Sequence, residues 1–284
     1  MRSRLLRGTV GVLALVVLAV GAVALLLTRL VPDRVSETCA VVLDDGTRHV
    51  LDADQADNAA LITAVTVRRG LPARAATIAL ATAVQESKLR NIDYGDRDSL
   101  GLFQQRPSQG WGTPEQVTDP VYATNAFLDG LVQVPGYTEL PITEAAQTVQ
   151  RSGYPEAYAD HEPEGRAFAS ALTGHSPASL TCHLPEPDAA ASPAEAVSAR
   201  LEQDFGITAT AADGAVVVGA AALPGDAPQR LAWAVAHWAV ATAVDTGVTT
   251  VEVAGKVWQR SDGNEAGWAP ADGGGPDDGG VRIS

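Results

Sequence analysis

The stretch from residue 73 to residue 89 constrains the fold of this chain more than any other. It contains neither Gly nor Pro and is rich in Ala, and its larger apolar side chains recur with the period of a mostly buried helix. Glu86 lies in the last turn of that predicted helix. The helix macrodipole disfavours a carboxylate at this end, and burial raises the pKa of a carboxyl group. We therefore expect Glu86 to keep its proton near neutral pH, as a general acid must.

Short motifs follow Glu86 in a specific order: Ser87, then Gly-Asp-Arg at 95–97 and Gly-Leu-Phe-Gln at 101–104. This order resembles the lysozyme-like superfamily, in particular the lytic transglycosylases and goose-type lysozymes, over about residues 54–174. The resemblance implies a mainly α, lysozyme-like catalytic domain with a small β-hairpin. It also implies that Glu86 is the general acid and that Asp96 is a second carboxylate, which positions the attacking water. The implied reaction is cleavage of the β-1,4 bond between N-acetylmuramic acid and N-acetylglucosamine in peptidoglycan, by lytic transglycosylation or by hydrolysis.

The chain departs from the family pattern at two places. Gln105 and Arg106 stand where some goose-type enzymes carry another Asp, and the Tyr-Asn-Ala-Gly motif of many transglycosylases is absent. Tyr154 or Tyr158 would then supply the phenol that hydrogen-bonds Glu86, and the spacing does not choose between them.

Further candidate substrate contacts lie close to these motifs. Ser87 follows the acid directly, the Gln104 amide suits a sugar N-acetyl group or a backbone partner, and the Trp111 indole suits a sugar ring or the core. The loop that contains Asp96 is rich in Asp but lacks the spacing of a calcium-binding loop. We expect no metal and no cofactor.

The N-terminal region predicts a membrane anchor. Residues 8–27 carry no charge, which matches the length needed to cross a bilayer, and Arg residues precede them. We expect a cytoplasmic N-terminus at 1–7, a single span at 8–29 in a bacterial cell membrane, and an extracytoplasmic remainder. A cleaved signal peptide and a secreted protein are the rival interpretation.

The two cysteines fit an extracytoplasmic location. Cys39 and Cys182 both follow the predicted anchor, and an oxidising compartment favours a disulfide between them.

Composition divides the rest of the chain. Asp-Asp-Gly at 44–46 between apolar runs predicts the hairpin, within a catalytic domain at 30–183. A Pro-rich linker at 184–193 then leads to a small α+β module at 194–260, which is a candidate surface for a protein partner. The Gly- and Asp-rich residues 261–284 predict a disordered tail.

Charge excludes some functions and leaves one alternative open. Of the 20 Lys and Arg residues, four precede residue 31, so the remainder sets 16 basic against all 34 acidic side chains. Nucleic-acid binding is excluded by this balance, and transport by the lack of polar residues in the single span. A non-catalytic glycan-binding or scaffold protein that keeps a lysozyme-like cleft remains the alternative to an enzyme of peptidoglycan glycan strands.

Overall fold

Three strands near the two ends of the helical region form a small antiparallel sheet. The computed structural model describes residues 20–21, 35–187, 193–212, 214–271, 276 and 279–284. Strands β1 (Thr38–Val42) and β2 (Arg48–Asp52) form the predicted hairpin, and the Asp45 side chain accepts a 2.8 Å hydrogen bond from the Thr47 N–H within its turn. Strand β3 (Leu180–His183) pairs with the other edge of β1.

The disulfide joins β1 to β3. Cys39 and Cys182 are register partners in this antiparallel pair, and their sulfurs are bonded, which confirms the predicted disulfide. The bond therefore ties the two ends of the helical region together.

Six α-helices lie between β2 and β3, and we call them the helical lobe. They are α1 (Ala53–Arg68), α2 (Ala73–Ser87), α3 (Pro114–Val117), α4 (Pro120–Leu131), α5 (Ile142–Gln150) and α6 (Glu162–Leu172). Short 3₁₀ helices stand at Pro107–Gln109 and Pro155–His161.

Helix α2 is the centre of this lobe. Every residue from 75 to 84 is buried, as the sequence predicted for a buried helix. Its close neighbour is α6, where a Cβ added at Gly165 would lie only 3.0 Å from the Ala81 nitrogen. Small residues on both helices allow this close approach. The contact fixes the position of α2, and therefore of Glu86, relative to α6.

Among the described residues after β3 are a second sheet and three more α-helices, which we call the C-terminal layer, and two 3₁₀ helices at Ala220–Ala222 and Arg260–Glu265. The helices are α7 (Pro193–Phe205), α8 (Pro228–Ala241) and α9 (Ala243–Thr246). The strands are β4 (Thr210–Ala212), β5 (Ala215–Gly219), β6 (Thr250–Val253), β7 (Lys256–Gln259), β8 (Ala269–Pro270) and β9 (Gly280–Ile283). They form an antiparallel sheet in the order β4-β5-β9-β6-β7-β8.

Helix α8 joins the C-terminal layer to the helical lobe. Every residue from 231 to 241 is buried, which is the pattern of a helix covered on all sides. It contacts α1 and α6 of the lobe as well as β6 and β9 of the sheet. Residues Ser36–Ser284 form one compact unit, and the structure is a mixed α/β protein with about 50% helix and 15% strand.

The disordered tail predicted at 261–284 is wrong for residues 261–271, which contain most of a 3₁₀ helix and β8, and for residues 279–284. Strand β9 lies between β5 and β6 in the middle of the second sheet, with Val281 and Ile283 buried. The strand is only four residues long and follows a Gly- and Asp-rich stretch, so composition obscured its alternation of inward and outward side chains. Residues 272–275 and 277–278 lie outside the described part of the chain.

The predicted anchor falls almost entirely outside the described residues. Of 8–29, only Val20 and Gly21 are described. Within the described ranges, no helix combines the length and the apolar character needed to cross a bilayer. Residues 188–192 of the predicted linker are also outside them.

We predict that Ile283→Ala lowers the free energy of unfolding by about 2–5 kcal/mol, because it removes a fully buried side chain from the central strand. Arg282→Ala is the matched control, since its side chain is only partly buried on the alternate face. Urea denaturation of both variants checks this, and equal midpoints for both would contradict the position of β9.

Candidate functional site

The end of α2 has an unusual backbone conformation. Lys88 and Leu89 follow the helix with φ angles of 57° and 56°, although neither is Gly. The Leu89 N–H reaches back to the Ala83 carbonyl at 3.1 Å and the Lys88 N–H to the Val84 carbonyl at 3.0 Å. Left-handed conformations of non-Gly residues cost on the order of 1–3 kcal/mol each and persist where the surrounding structure fixes them.

Side chains from the start of α1 fix this turn. Gln55 donates to the Lys88 carbonyl at 2.8 Å, and Asn58 donates to the Leu89 carbonyl at 2.8 Å. The Arg90 guanidinium binds carboxylates at the same end of α1, those of Asp52 at 2.5 Å and Asp54 at 2.6 Å. The turn that follows the acid is therefore held by a neighbouring helix.

Glu86 is partly buried and hydrogen-bonded. The Tyr158 hydroxyl donates to Glu86 Oε1 at 2.6 Å, so Tyr158 rather than Tyr154 contacts the acid. Tyr158 is fully buried, whereas Tyr154 is 76% exposed. The Gln150 side chain also interacts with Glu86 and lowers its pKa, and the Gln150 Nε2 donates to the Phe103 carbonyl at 2.8 Å.

Burial dominates the electrostatics of this pair. Desolvation raises the pKa of Glu86 above the usual 4.5, against the smaller lowering effect of the hydrogen bonds from Tyr158 and Gln150. Burial, together with the nearby Glu86 charge, raises the pKa of Tyr158 well above its usual range. The phenol is therefore a neutral donor, and the carboxyl group keeps its proton to a higher pH than an ordinary Glu.

Ser87 joins α2 to the Gly-Leu-Phe-Gln segment. Its hydroxyl is buried and bonds the Leu102 carbonyl at 2.8 Å and the Ala83 carbonyl at 3.1 Å. Phe103 stacks on Phe127 with ring centroids 4.7 Å apart. The structure places Ser87 inside the protein, where it positions this segment, and not at the surface as expected for a substrate contact.

The Gln104 side chain hydrogen-bonds the loop that contains Asp96. Its amide donates to the Gly101 carbonyl at 3.2 Å and the Tyr94 carbonyl at 3.3 Å, and its side chain remains partly exposed. A Cβ at Gly95 would lie 1.9 Å from Gln104 Oε1. Only Gly at position 95 leaves room for this amide.

Two of the three acids of the loop, Asp96 and Asp98, have different environments. The Asp96 side chain is 92% exposed, and its charged neighbour is Arg97 at 3.9 Å. Asp98 accepts from the Ser108 N–H at 2.7 Å and from Arg106 Nε at 2.9 Å, and these bonds hold the pKa of Asp98 well below its usual range. Asp98 therefore fixes the loop, while the structure gives Asp96 no partner that would aim it at Glu86.

A surface cleft of about 770 Å³ begins beside Gln150. Its walls include Trp111 and Arg151, and the Trp111 ring is packed partly against the core. Gln150 lines this cleft and also lowers the pKa of Glu86. Tyr154 and Tyr94 add exposed aromatic surface on segments next to the site.

Gln150 is the site residue that the sequence did not reveal. It ends α5 directly after the buried Val149, and no motif distinguishes it from any other polar residue at a helix end. The left-handed φ of 53° at Arg151, where Gly is the usual residue, ends the helix there.

Comparison of the chain with family profiles and with curated proteins found no match.

We predict that Glu86→Gln makes the protein more stable than the native chain at pH 7 and equally stable at pH 4. A folded-state pKa above 4.5 means that the contribution of Glu86 to stability is complete below pH 4.5 and is lost as pH rises through the folded value. Gln cannot ionise, so it avoids this loss. Urea denaturation across this pH range measures the difference.

Glu156→Gln serves as the control, because Glu156 is exposed on the 3₁₀ helix that carries Tyr158. If the two variants show the same pH dependence relative to the native chain, Glu86 carries no burial penalty.

Proposed function

We propose that this chain is a lysozyme-like glycosidase that cleaves the β-1,4 bond between N-acetylmuramic acid and N-acetylglucosamine in peptidoglycan. Glu86 protonates the bridging oxygen as the bond breaks. The order of motifs around Glu86 supports the family assignment.

The single observation that carries this proposal is the partly buried Glu86 carboxyl with the Tyr158 hydroxyl at 2.6 Å. Burial raises the pKa of the carboxyl, so it keeps its proton to a higher pH than an ordinary Glu does. Once the proton is transferred, Tyr158 and Gln150 donate to the carboxylate that forms. The same two donors therefore limit how far the pKa rises, which a general acid that works near neutral pH requires.

The environment of Asp96 favours lytic transglycosylation over hydrolysis. An inverting hydrolase needs a second carboxylate, roughly 6.5–9.5 Å from the acid, that holds the attacking water. Asp96 is exposed beside Arg97, and Asp98 is occupied by Arg106 and Ser108. With neither Asp96 nor Asp98 available as the second acid, a hydroxyl of the substrate attacks the sugar carbon as the glycosidic bond breaks. The proton of that hydroxyl passes to the Glu86 carboxylate, and an anhydro-muramyl product forms.

The surroundings of the acid suit a polymeric glycan. Trp111 lines the cleft, and Tyr94 and Tyr154, which both follow Glu86 in the sequence, expose their rings. Aromatic faces bind sugar rings through apolar contact and leave the hydroxyls free for polar partners. We propose a chain held at the bacterial cell membrane through residues 8–29, with the secreted form as the alternative, and with wall glycan strands as its partner.

We predict that the full chain releases anhydro-muramyl muropeptides from purified peptidoglycan and that Glu86→Gln lowers this rate by about 10²- to 10⁴-fold, the usual contribution of a positioned acid. Mass spectrometry of the soluble products measures both. No products from the native chain would instead support the non-catalytic glycan-binding protein, which a sedimentation assay with the same peptidoglycan detects.

We further predict that Asp96→Asn lowers the rate by less than about tenfold, whereas loss of a general base would cost about 10²- to 10⁴-fold. Asp93→Asn in the same loop is the matched control. Reducing-end products that disappear in Asp96→Asn alone would contradict transglycosylation and identify a hydrolase with Asp96 as its base.

A further inference from the structure

Arg200 on α7 binds three carboxylates from three helices. Its guanidinium contacts Asp57 of α1 at 2.9 Å, Asp204 of α7 at 2.9 Å and Asp245 of α9 at 3.0 Å. The Arg200 side chain is only 11% exposed. Of these partners, Asp57 belongs to the helical lobe, so Arg200 connects the C-terminal layer to α1.

Asp57 lies in the part of α1 whose side chains hydrogen-bond the turn after α2. Gln55 precedes it by two residues and Asn58 follows it directly, and their amides donate to the carbonyls of the turn that begins two residues after Glu86. That turn contains two consecutive residues in the left-handed conformation, Lys88 and Leu89. These contacts hold their backbone in that conformation.

We propose that Arg200 is a positioning residue for Glu86: through Asp57 it holds the start of α1, and α1 holds the turn that ends the Glu86 helix. The C-terminal layer is then part of the scaffold of the site. The consequence for catalysis rests on the proposed function, whereas the mechanical connection does not.

The charges around Arg200 make it difficult to replace. Asp204 is fully buried and also accepts from Trp238 Nε1 at 2.8 Å, while Asp57 Oδ1 is buried without a hydrogen-bond partner in the described structure. Burial raises the pKa of both Asp57 and Asp204 in spite of the guanidinium. Without Arg200, Asp57 must either bind a proton or move toward water.

Space for such a movement exists next to the contact. An open pocket of about 720 Å³ is lined by Asp57, Asn58, Arg200 and Asp245, together with Asp52 and Asp54. If Asp57 turns into this pocket, the first turns of α1 move with it, and Gln55 and Asn58 lose their alignment with the Lys88 and Leu89 carbonyls.

Arg200→Met in the full chain tests this proposal with two measurements that need no activity. The first is hydrogen exchange of the 88–90 amides, which are hydrogen-bonded in the turn. We expect exchange there to accelerate at least about fivefold. The second is the NMR titration of Glu86, whose midpoint we expect to change.

Arg260→Met is the matched control. Arg260 is also a buried arginine of the C-terminal layer, but it donates to the carbonyls of Pro185 at 2.5 Å and Ala243 at 2.7 Å, not to α1. Both variants lose stability, and only Arg200→Met should change residues 88–90 and Glu86. Equal effects of the two variants, or no effect of either, would overturn the proposal.

Activity adds a separate criterion. In a folded Arg200→Met protein we expect kcat to fall by about 10- to 100-fold, as for a displaced acid, with KM nearly unchanged. If the native chain cleaves no glycan, the proposed function fails while exchange and titration still decide the role of Arg200. If Arg200→Met does not fold, Asp57→Ala replaces it, and unchanged exchange at 88–90 in that variant would overturn the proposal.

Discussion

The hydrogen bond from the Tyr158 phenol to the Glu86 carboxyl is the interaction on which the candidate site depends. A carboxyl group out of water prefers its neutral form, and a fixed donor moderates that preference. The bond can form only if α2, which ends with the acid, and the 3₁₀ helix that carries Tyr158 hold a constant separation. Two features keep this separation fixed. Helix α2 packs closely against α6 at Gly165, and α2 is buried from residue 75 to residue 84.

The end of α2 is held on two sides by contacts of different kinds. Ser87 ties it to the Gly-Leu-Phe-Gln segment through the Leu102 carbonyl, and α1 holds the left-handed turn through side-chain amides. A reactive group supported in this way keeps its geometry while the substrate changes its own. The C-terminal layer extends the same support, because its helix α8 is buried between the second sheet and the helical lobe.

Features set by local pattern were predictable, and features set by distant partners were not. The Ala-rich period gave α2 with Glu86 at its end, the Asp-Gly turn gave the hairpin, and the two cysteines gave the disulfide. Strand β9 was not predicted, because the strands that it pairs with, β5 and β6, are distant from it in the sequence. The same reason hid Gln150, which reaches Glu86 only after α5 packs against α2. Sequence order suggested Asp96, but the fold leaves that side chain in solvent.

The most direct test of this account is a ¹³C NMR titration of the Glu86 carboxyl in the native full chain, assigned by comparison with Glu86→Gln and repeated in Tyr158→Phe. We predict a midpoint above 4.5 in the native protein and a still higher one in Tyr158→Phe, because that variant keeps the burial and loses a donor. A native midpoint at or below 4.5, or one that falls when the phenol is removed, would contradict a carboxyl held neutral for proton transfer.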